Sequence, residues 1–368
     1  NGLPIGIKDI IDTKDMPTEN GSKVCENRKP NEDAHLVKLL RDAGAVIMGK
    51  CVTTEFALSG PGKTKNPHDL ECTPGGSSSG SAAAVCDNMV PLSIGSQTGG
   101  SVLRPASFTG ILGFKPTFGT ISRSGMSPIS QRLDHPGIYA NTIEDIELVA
   151  SVLLSYDYND LDMIKNYEYK NNNKINPSPK FAFIKGPVWD YGDQDMQEGI
   201  IDFVKNAPLD IVDLELDSIF SKAAKSHEVI MNGSIVRSLY KYYENEKEKL
   251  HPFTVSRIEA GIPVSAKDYI EAIENAKLME KSLKEVFKEY DAIITPAAPG
   301  QAPRDLMNTG NAIFNGYWTM MGIPAISLPL LKGKNNLPIG VQVITSWEND
   351  LDLLKISEFI LNKIKKAC

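Results

Sequence analysis

The segment Gly95-Ser96-Gln97-Thr98-Gly99-Gly100-Ser101 packs hydroxyls, a carboxamide and glycines into one short run. Such a run can turn successive backbone N–H groups toward one point, with glycine supplying the positive φ that a tight turn needs. Converging amides beside a serine hydroxyl make an oxyanion hole next to a nucleophile, which is what acyl transfer requires. Two other segments share this character. Pro74-Gly75-Gly76-Ser77-Ser78-Ser79-Gly80-Ser81 is a second glycine- and serine-rich run, and Gly2-Leu3-Pro4-Ile5-Gly6-Ile7-Lys8-Asp9 ends an apolar stretch on a lysine. A base is still needed. His35, His68, His135, His227 and His251 all lie outside any motif-like setting. A lysine kept neutral by burial can replace histidine by working through a hydroxyl relay.

These segments need a scaffold, and the rest of the chain reads as one. Its 368 residues admit one large α/β domain or two smaller ones. Residues 31–50 read as a helix capped by Asn31, followed by a buried strand from Ala45 to Gly49. From Thr73 to Pro128 small polar residues alternate with apolar pieces such as Ala82–Val85, Leu92–Ile94 and Ile111–Phe114. That mixture fits an active-site wall; a surface linker would lack the apolar pieces. A helix is expected over Asp145–Leu154 and a solvated insertion over residues 156–180. Beyond it come a strand at Phe181–Ile184, a helix at Asp193–Ala207 and a long charged helix at Ser265–Tyr290. Strands follow at Asp291–Pro296, Ala325–Pro329 and Ile339–Ile344. Strands in both halves favour one continuous domain, an α/β fold with a large mixed, twisted central sheet covered by helices on both faces.

Composition narrows the function. A formal net charge of −7 argues against direct nucleic-acid binding. No apolar run approaches the ~20 residues of a membrane-spanning helix. Five scattered cysteines without a CxxC pair speak against a disulfide framework or structural zinc. The expectation is a cytoplasmic protein with no metal and no cofactor. Because the chain opens on Asn1 and not on Met, an N-terminal segment is expected to be missing.

Taken together, the segments closely resemble the signature stretch of the amidase-signature family of serine hydrolases. The likeness runs from Gly75–Ser81 and Gly95–Ser101 through Arg104-Pro105-Ala106 to Gly113-Phe114-Lys115-Pro116-Thr117-Phe118-Gly119. It returns at Tyr290–Pro296 and Asn336–Gln342. Ser77 and Ser101 stand 24 residues apart, the spacing of that family's bridging and nucleophilic serines. The resemblance implies Ser101 as nucleophile, Ser77 as bridging serine after a cis peptide bond from Gly76, and Lys8 as base. It implies the amides of Thr98, Gly99, Gly100 and Ser101 as the oxyanion hole. A lysine walled by Ile5, Ile7 and the glycine/serine loops should have a lowered pKa, with Asp9 pointing away. Gln97 stands where many members carry Asp, and Thr109 where Cys is frequent.

The resemblance leaves several readings open. Thr309-Gly310-Asn311-Ala312-Ile313-Phe314-Asn315 with Trp318 resembles stand-alone amidases more than the glutaminase component of the glutamyl-tRNA amidotransferase. An acyl-enzyme amidase acting on a small-molecule amide is therefore expected. That amidotransferase component and a non-catalytic scaffold are the alternatives, and a homodimer is open as an assembly. Phe56, Ser59, Asn311, Asn315 and Trp318 are the candidate substrate contacts. Gly76–Gly80 also formally fits the G-x-S-x-G elbow of α/β-hydrolases, but Pro74 rules out the strand that must precede it.

Overall fold

Alternation along Ile5-Gly6-Ile7-Lys8 sets the first strand: Ile5 and Ile7 turn into the main apolar core, so Gly6 and Lys8 turn to the other face. The computed structural model describes residues 2–58, 60–165, 167 and 176–367. Its strands are β1 (Pro4–Lys8), β2 (Val46–Cys51), β3 (Leu92–Gln97), β4 (Leu112–Lys115) and β5 (His135–Ala140). They continue with β6 (Lys180–Phe183), β7 (Asp210–Asp213), β8 (Ala292–Pro296), β9 (Ala325–Lys332) and β10 (Pro338–Ile344). All join one mixed sheet in the order β2-β1-β3-β5-β4-β9-β10-β8-β6-β7. The expected single α/β domain is what the chain forms.

The helices are α1 (His35–Asp42), α2 (Ser79–Cys86), α3 (Leu103–Thr109), α4 (Ile143–Leu153) and α5 (Gln194–Asn206). They continue with α6 (Ala223–Glu246), α7 (Pro252–Gly261), α8 (Ala266–Val286), α9 (Ile313–Met320) and α10 (Asp350–Ala367). Strand β5 shows how the two faces separate. Ile138 and Ala140 enter the large core with α1 and α4, whereas Tyr139 joins Ala82, Val85, Val102 and Ala106 of the core around α2 and α3. The small residues of α2 and α3 let these helices lie close to the sheet, and that places the glycine/serine runs over the end of β1.

Some local expectations change. Asn31 does not cap α1, which starts at His35 behind Ala34. The backbone N–H groups of Ala34 and His35 are instead taken by the carbonyls of Asp12 and Ser124, so neighbouring loops do the capping. The start of the 156–180 insertion is not solvated: Asp157 and Asp160 are buried, accepting hydrogen bonds from Ser122 and Arg123. Residues 166 and 168–175 of that expectation lie outside the described residues. The glycines of the 95–101 run are not there for positive φ, which none of them has. They are there for space. A Cβ on Gly95 would stand 2.7 Å from Tyr139 Cε2 and 2.9 Å from Ser78 Oγ.

That crowding is testable. Gly95→Ala should lower the unfolding free energy by about 1–3 kcal/mol, as overpacking does. The measurement is the urea midpoint at unchanged m-value. Parent-like stability would contradict the close seating of β3 against Ser78 and Tyr139.

Candidate active site

Lys8 ends β1 on the face covered by α2, and its side chain is fully buried. Its Nζ lies 2.7 Å from Ser77 Oγ, 2.9 Å from Ser78 Oγ and 2.8 Å from Ser96 Oγ. The walls around the amine are therefore serine hydroxyls. Ile5 and Ile7, expected as walls, face the opposite core because alternate strand residues must. The Gly76–Ser77 peptide is cis. Ser78 donates its own proton to the carbonyl of Ser96, at 3.0 Å, so toward Lys8 it can only accept.

Burial holds the Lys8 ammonium well below its ordinary 10.5; the Asp134 carboxylate opposes that shift and Arg104 adds to it. Asp134 is itself buried and spends its oxygens on the Thr98 hydroxyl and the N–H groups of Ile129 and Ser130. Asp9 does not serve Lys8. It lies 3.4 Å from Lys50 Nζ and accepts the N–H of Glu19.

The loop after β3 is built from the outside. Each carbonyl from Thr98 to Ser101 has a donor: His227 Nε2 at 3.2 Å, Thr319 Oγ1 at 2.6 Å, Arg104 N at 3.0 Å and Tyr139 OH at 2.9 Å, in order. Among the described residues, no acceptor in the chain meets the N–H of Thr98, Gly99, Gly100 or Ser101. In a trans peptide the N–H points opposite the carbonyl, so tied carbonyls leave a set of free, aimed donors.

Gln97 closes the loop on its inner side. Its Oε1 accepts the N–H groups of Val102 and Leu103 at 2.8 and 3.0 Å, and its Nε2 donates to Thr319 Oγ1 at 2.9 Å. It thereby satisfies the start of α3, where N–H groups lack helical partners. A carboxylate there could accept those bonds but could not donate to Thr319.

Ser101 opens onto a cleft of about 620 Å³ whose walls include Arg104, His227, Arg257, Asn311 and Tyr317. Of the expected substrate contacts, Asn311 lines this cleft. Phe56, Asn315 and Trp318 are instead buried behind its walls: Phe56 stacks on Tyr242, and Asn315 ties Ala297 to Gln342. Ser59 lies outside the described residues.

His227 and Arg257 are the cleft residues that reading the sequence missed, because they sit on α6 and α7, whose polar patterns give no local signal. Burial lowers the His227 pKa to about 4, so its ring is neutral and donates from Nε2. Arg257 Nε is buried with no hydrogen-bond partner among the described residues. A second cavity, of about 640 Å³ near Trp189 and Phe220, shares no lining residue with the cleft and carries none of this chemistry. Among the described residues no cluster of His, Cys, Asp and Glu could hold a metal, and no helix is long and apolar enough to cross a membrane.

A mixed sheet of this topology, carrying a buried Lys–Ser–Ser cluster beside free loop amides, defines a serine-hydrolase-like site. The family model described as Amidase matches residues 1–354, and the chain belongs to that family. It is 33% identical to GatA-type glutamyl-tRNA(Gln) amidotransferase from Agathobacter rectalis, over 96% of this chain and 79% of that one. The corresponding Clostridium botulinum (strain Eklund 17B / Type B) protein is 31% identical, over 97% and 82%. In solved structures, the chain is similar to the corresponding glutamyl-tRNA(Gln) amidotransferase component of Thermotoga maritima, with TM-score 0.84, 30% identity and coverage of 96% and 82%. A protein from a vestigial complex tied to the origins of an s-triazine catabolic enzyme gives TM-score 0.87 at 26% identity, over 98% and 83%. These relatives do not support the expected preference for a stand-alone amidase over the amidotransferase component.

Burial of Lys8 leaves a thermodynamic trace. The unfolded chain keeps the Lys8 proton up to about its ordinary 10.5, whereas the folded chain releases it at lower pH. Between those two values the unfolded state binds more protons, so unfolding free energy rises with pH. Lys8→Met should remove that contribution. The stability of the variant relative to the parent, from denaturant titrations at several pH values, should fall steadily as pH approaches 10.5. A pH-independent difference would mean that Lys8 stays charged in the folded state.

Proposed function

We propose that this chain hydrolyses a carboxylic amide through an acyl-enzyme on Ser101, with Ser77 as relay and Lys8 as base. The observation that carries this reading is the fully buried Lys8 amine 2.7 Å from Ser77 Oγ, its hydrogen-bond partners among the described residues all neutral. A neutral amine has two N–H bonds, which suit the hydroxyls of Ser78 and Ser96, and one lone pair, which is left for the Ser77 proton.

In acylation the Ser77 proton passes to Lys8 Nζ, Ser77 Oγ takes the proton of Ser101, and Ser101 Oγ bonds to the amide carbon. The carbonyl oxygen becomes an oxyanion held by the amides of Thr98 to Ser101. As the tetrahedral adduct collapses, the carbon–nitrogen bond breaks. The leaving nitrogen takes the proton held on Lys8, by way of Ser77, and departs as ammonia or an amine. Water then attacks the ester along the same proton path, releasing the carboxylate and returning the proton to Ser101.

The cleft suggests which amide. Arg257 presents a guanidinium without a carboxylate partner among the described residues, and Arg104 adds a second positive charge. A substrate whose far end carries a carboxylate fits these walls. Glutamine is such a molecule, and the likeness to glutamyl-tRNA(Gln) amidotransferase components favours glutamine-derived ammonia release as a second reading. Other small amides with a terminal carboxylate fit equally.

Three measurements bear on the proposal. A fluorophosphonate should modify Ser101, located by mass spectrometry; a label on Ser78 with Ser101 untouched would overturn the assignment. For a neutral amide, kcat/KM should rise with pH through the lowered Lys8 value and stay high in alkali, since only the neutral amine accepts a proton. A flat profile with chemistry rate-limiting would contradict a neutral base. Arg257→Ala should raise KM for glutamine at least tenfold while changing KM for the uncharged butyramide by less than about threefold, a charge-assisted contact being worth ~1.5–3 kcal/mol. Equal effects on both substrates would refute the carboxylate preference.

A further inference from the structure

The amides of the 98–101 loop point where they do because something outside the loop holds their carbonyls. Two of the four anchors are local to the chain's own folding: Arg104 N belongs to the first turn of α3, and Tyr139 OH reaches Ser101 O from the neighbouring strand β5. The other two come from distant helices. His227 on α6 donates to Thr98 O, and Thr319 on α9 donates to Gly99 O. These two carbonyls belong to the peptide units that carry the N–H groups of Gly99 and Gly100. Both units are flanked by glycine, so their backbone has little intrinsic resistance to rotation. Rotating either peptide plane by half a turn would replace an inward N–H with an inward carbonyl, which repels an oxyanion.

We infer that His227 and Thr319 are positioning residues that lock the Gly99 and Gly100 amides toward the reacting carbonyl oxygen. The inference rests on the reading of Ser101 as nucleophile.

The hydrogen bonding makes Thr319 directional. Gln97 Nε2 donates into Thr319 Oγ1, so the threonine's single proton is left for an acceptor. Gly99 O lies at 2.6 Å, closer than the Asn315 carbonyl one helical turn back at 3.0 Å. The helix would ordinarily receive that proton. Here the loop is better placed to take it. The relay Gln97–Thr319–Gly99 therefore links the start of α3 to the aim of the loop.

His227 is fixed just as firmly. Its ring packs so closely on α9 that a Cβ on Gly316 would come within 2.9 Å of it, and on the loop side the ring abuts Gly99. Its ring position leaves Nε2 facing Thr98 O, and a carbonyl can only accept, so the donor must be Nε2–H. His227 also lines the cleft, so no other side chain need intervene between α6 and the loop.

The test separates aim from mere packing by pairing each deletion with a variant that keeps the donor. Thr319→Val keeps the shape and loses the hydroxyl, whereas Thr319→Ser keeps it. His227→Phe keeps a ring without a donor, whereas His227→Gln offers an amide donor. The readouts are the rate of Ser101 modification by a fluorophosphonate and the separate kcat and KM for an amide substrate. Losing a whole oxyanion-hole donor costs ~10²–10³ in kcat, and misaiming one should cost about 10- to 100-fold. Thr319→Val and His227→Phe should therefore lose about that much in kcat and in labelling rate, with KM within about threefold of the parent. Thr319→Ser and His227→Gln should recover most of the loss. Parent-like rates in Thr319→Val and His227→Phe would overturn the inference. So would equal losses in the deletion and donor-keeping variants, compared at temperatures equally far below each Tm. In both cases Ser101 would still carry the label in the parent, leaving the nucleophile intact; a parent labelled elsewhere would defeat the functional reading instead.

Discussion

An ammonium enclosed by protein is several kcal/mol less favourable than one in water unless an opposite charge accompanies it. Lys8 is enclosed, and the groups within reach of its Nζ are three serine hydroxyls and the carbonyl of Ser96. The surroundings answer this constraint with neutral hydrogen-bonding groups in place of an ion pair. Asp9, its neighbour in sequence, is held by Lys50, and Asp134 is occupied by Thr98 and two backbone amides. The site thus keeps an amine able to accept a proton because the nearby carboxylates are committed elsewhere.

The rest of the structure follows from putting that amine beneath two loops. Strand β1 delivers Lys8, the turn before α2 delivers Ser77 and Ser78, and the turn after β3 delivers Ser101. Small residues make the assembly tight. Arg104 binds the two loops together by donating to Gly76 O at 2.5 Å, and a Cβ on Gly100 would overlap Asn315. Glycine here answers to crowding more than to torsion.

Much of this was legible in the sequence because it is local. Lys8, Ser77 and Ser101 lie in short segments of unusual composition, and most strands read correctly from apolar runs. Strand β5 went unread because Pro136 and Gly137 disguise it, although Gly137 is small so that Val102 can pack on it. Helix α6 went unread because one side of it faces the cleft with Lys225, His227 and Glu228, which breaks the apolar period. Gln97 was visible as a missing charge, but its role depends on Thr319, more than two hundred residues away. Phe56, Asn315 and Trp318 were drawn from plausible segments, yet these side chains turn inward. Local chemistry leaves a mark in sequence; convergence of distant helices on one loop does not.

The central claim is that Lys8 is neutral in the resting protein. The most direct measurement is heteronuclear NMR of protein labelled with ¹⁵N and ¹³C in its lysine side chains. The Lys8 signals would be assigned by their loss in Lys8→Met and followed across pH. The account predicts a neutral-amine shift at pH 8, with a midpoint well below the 10.5 of an ordinary lysine. A Lys8 signal that stays in the ammonium range up to that value would contradict it.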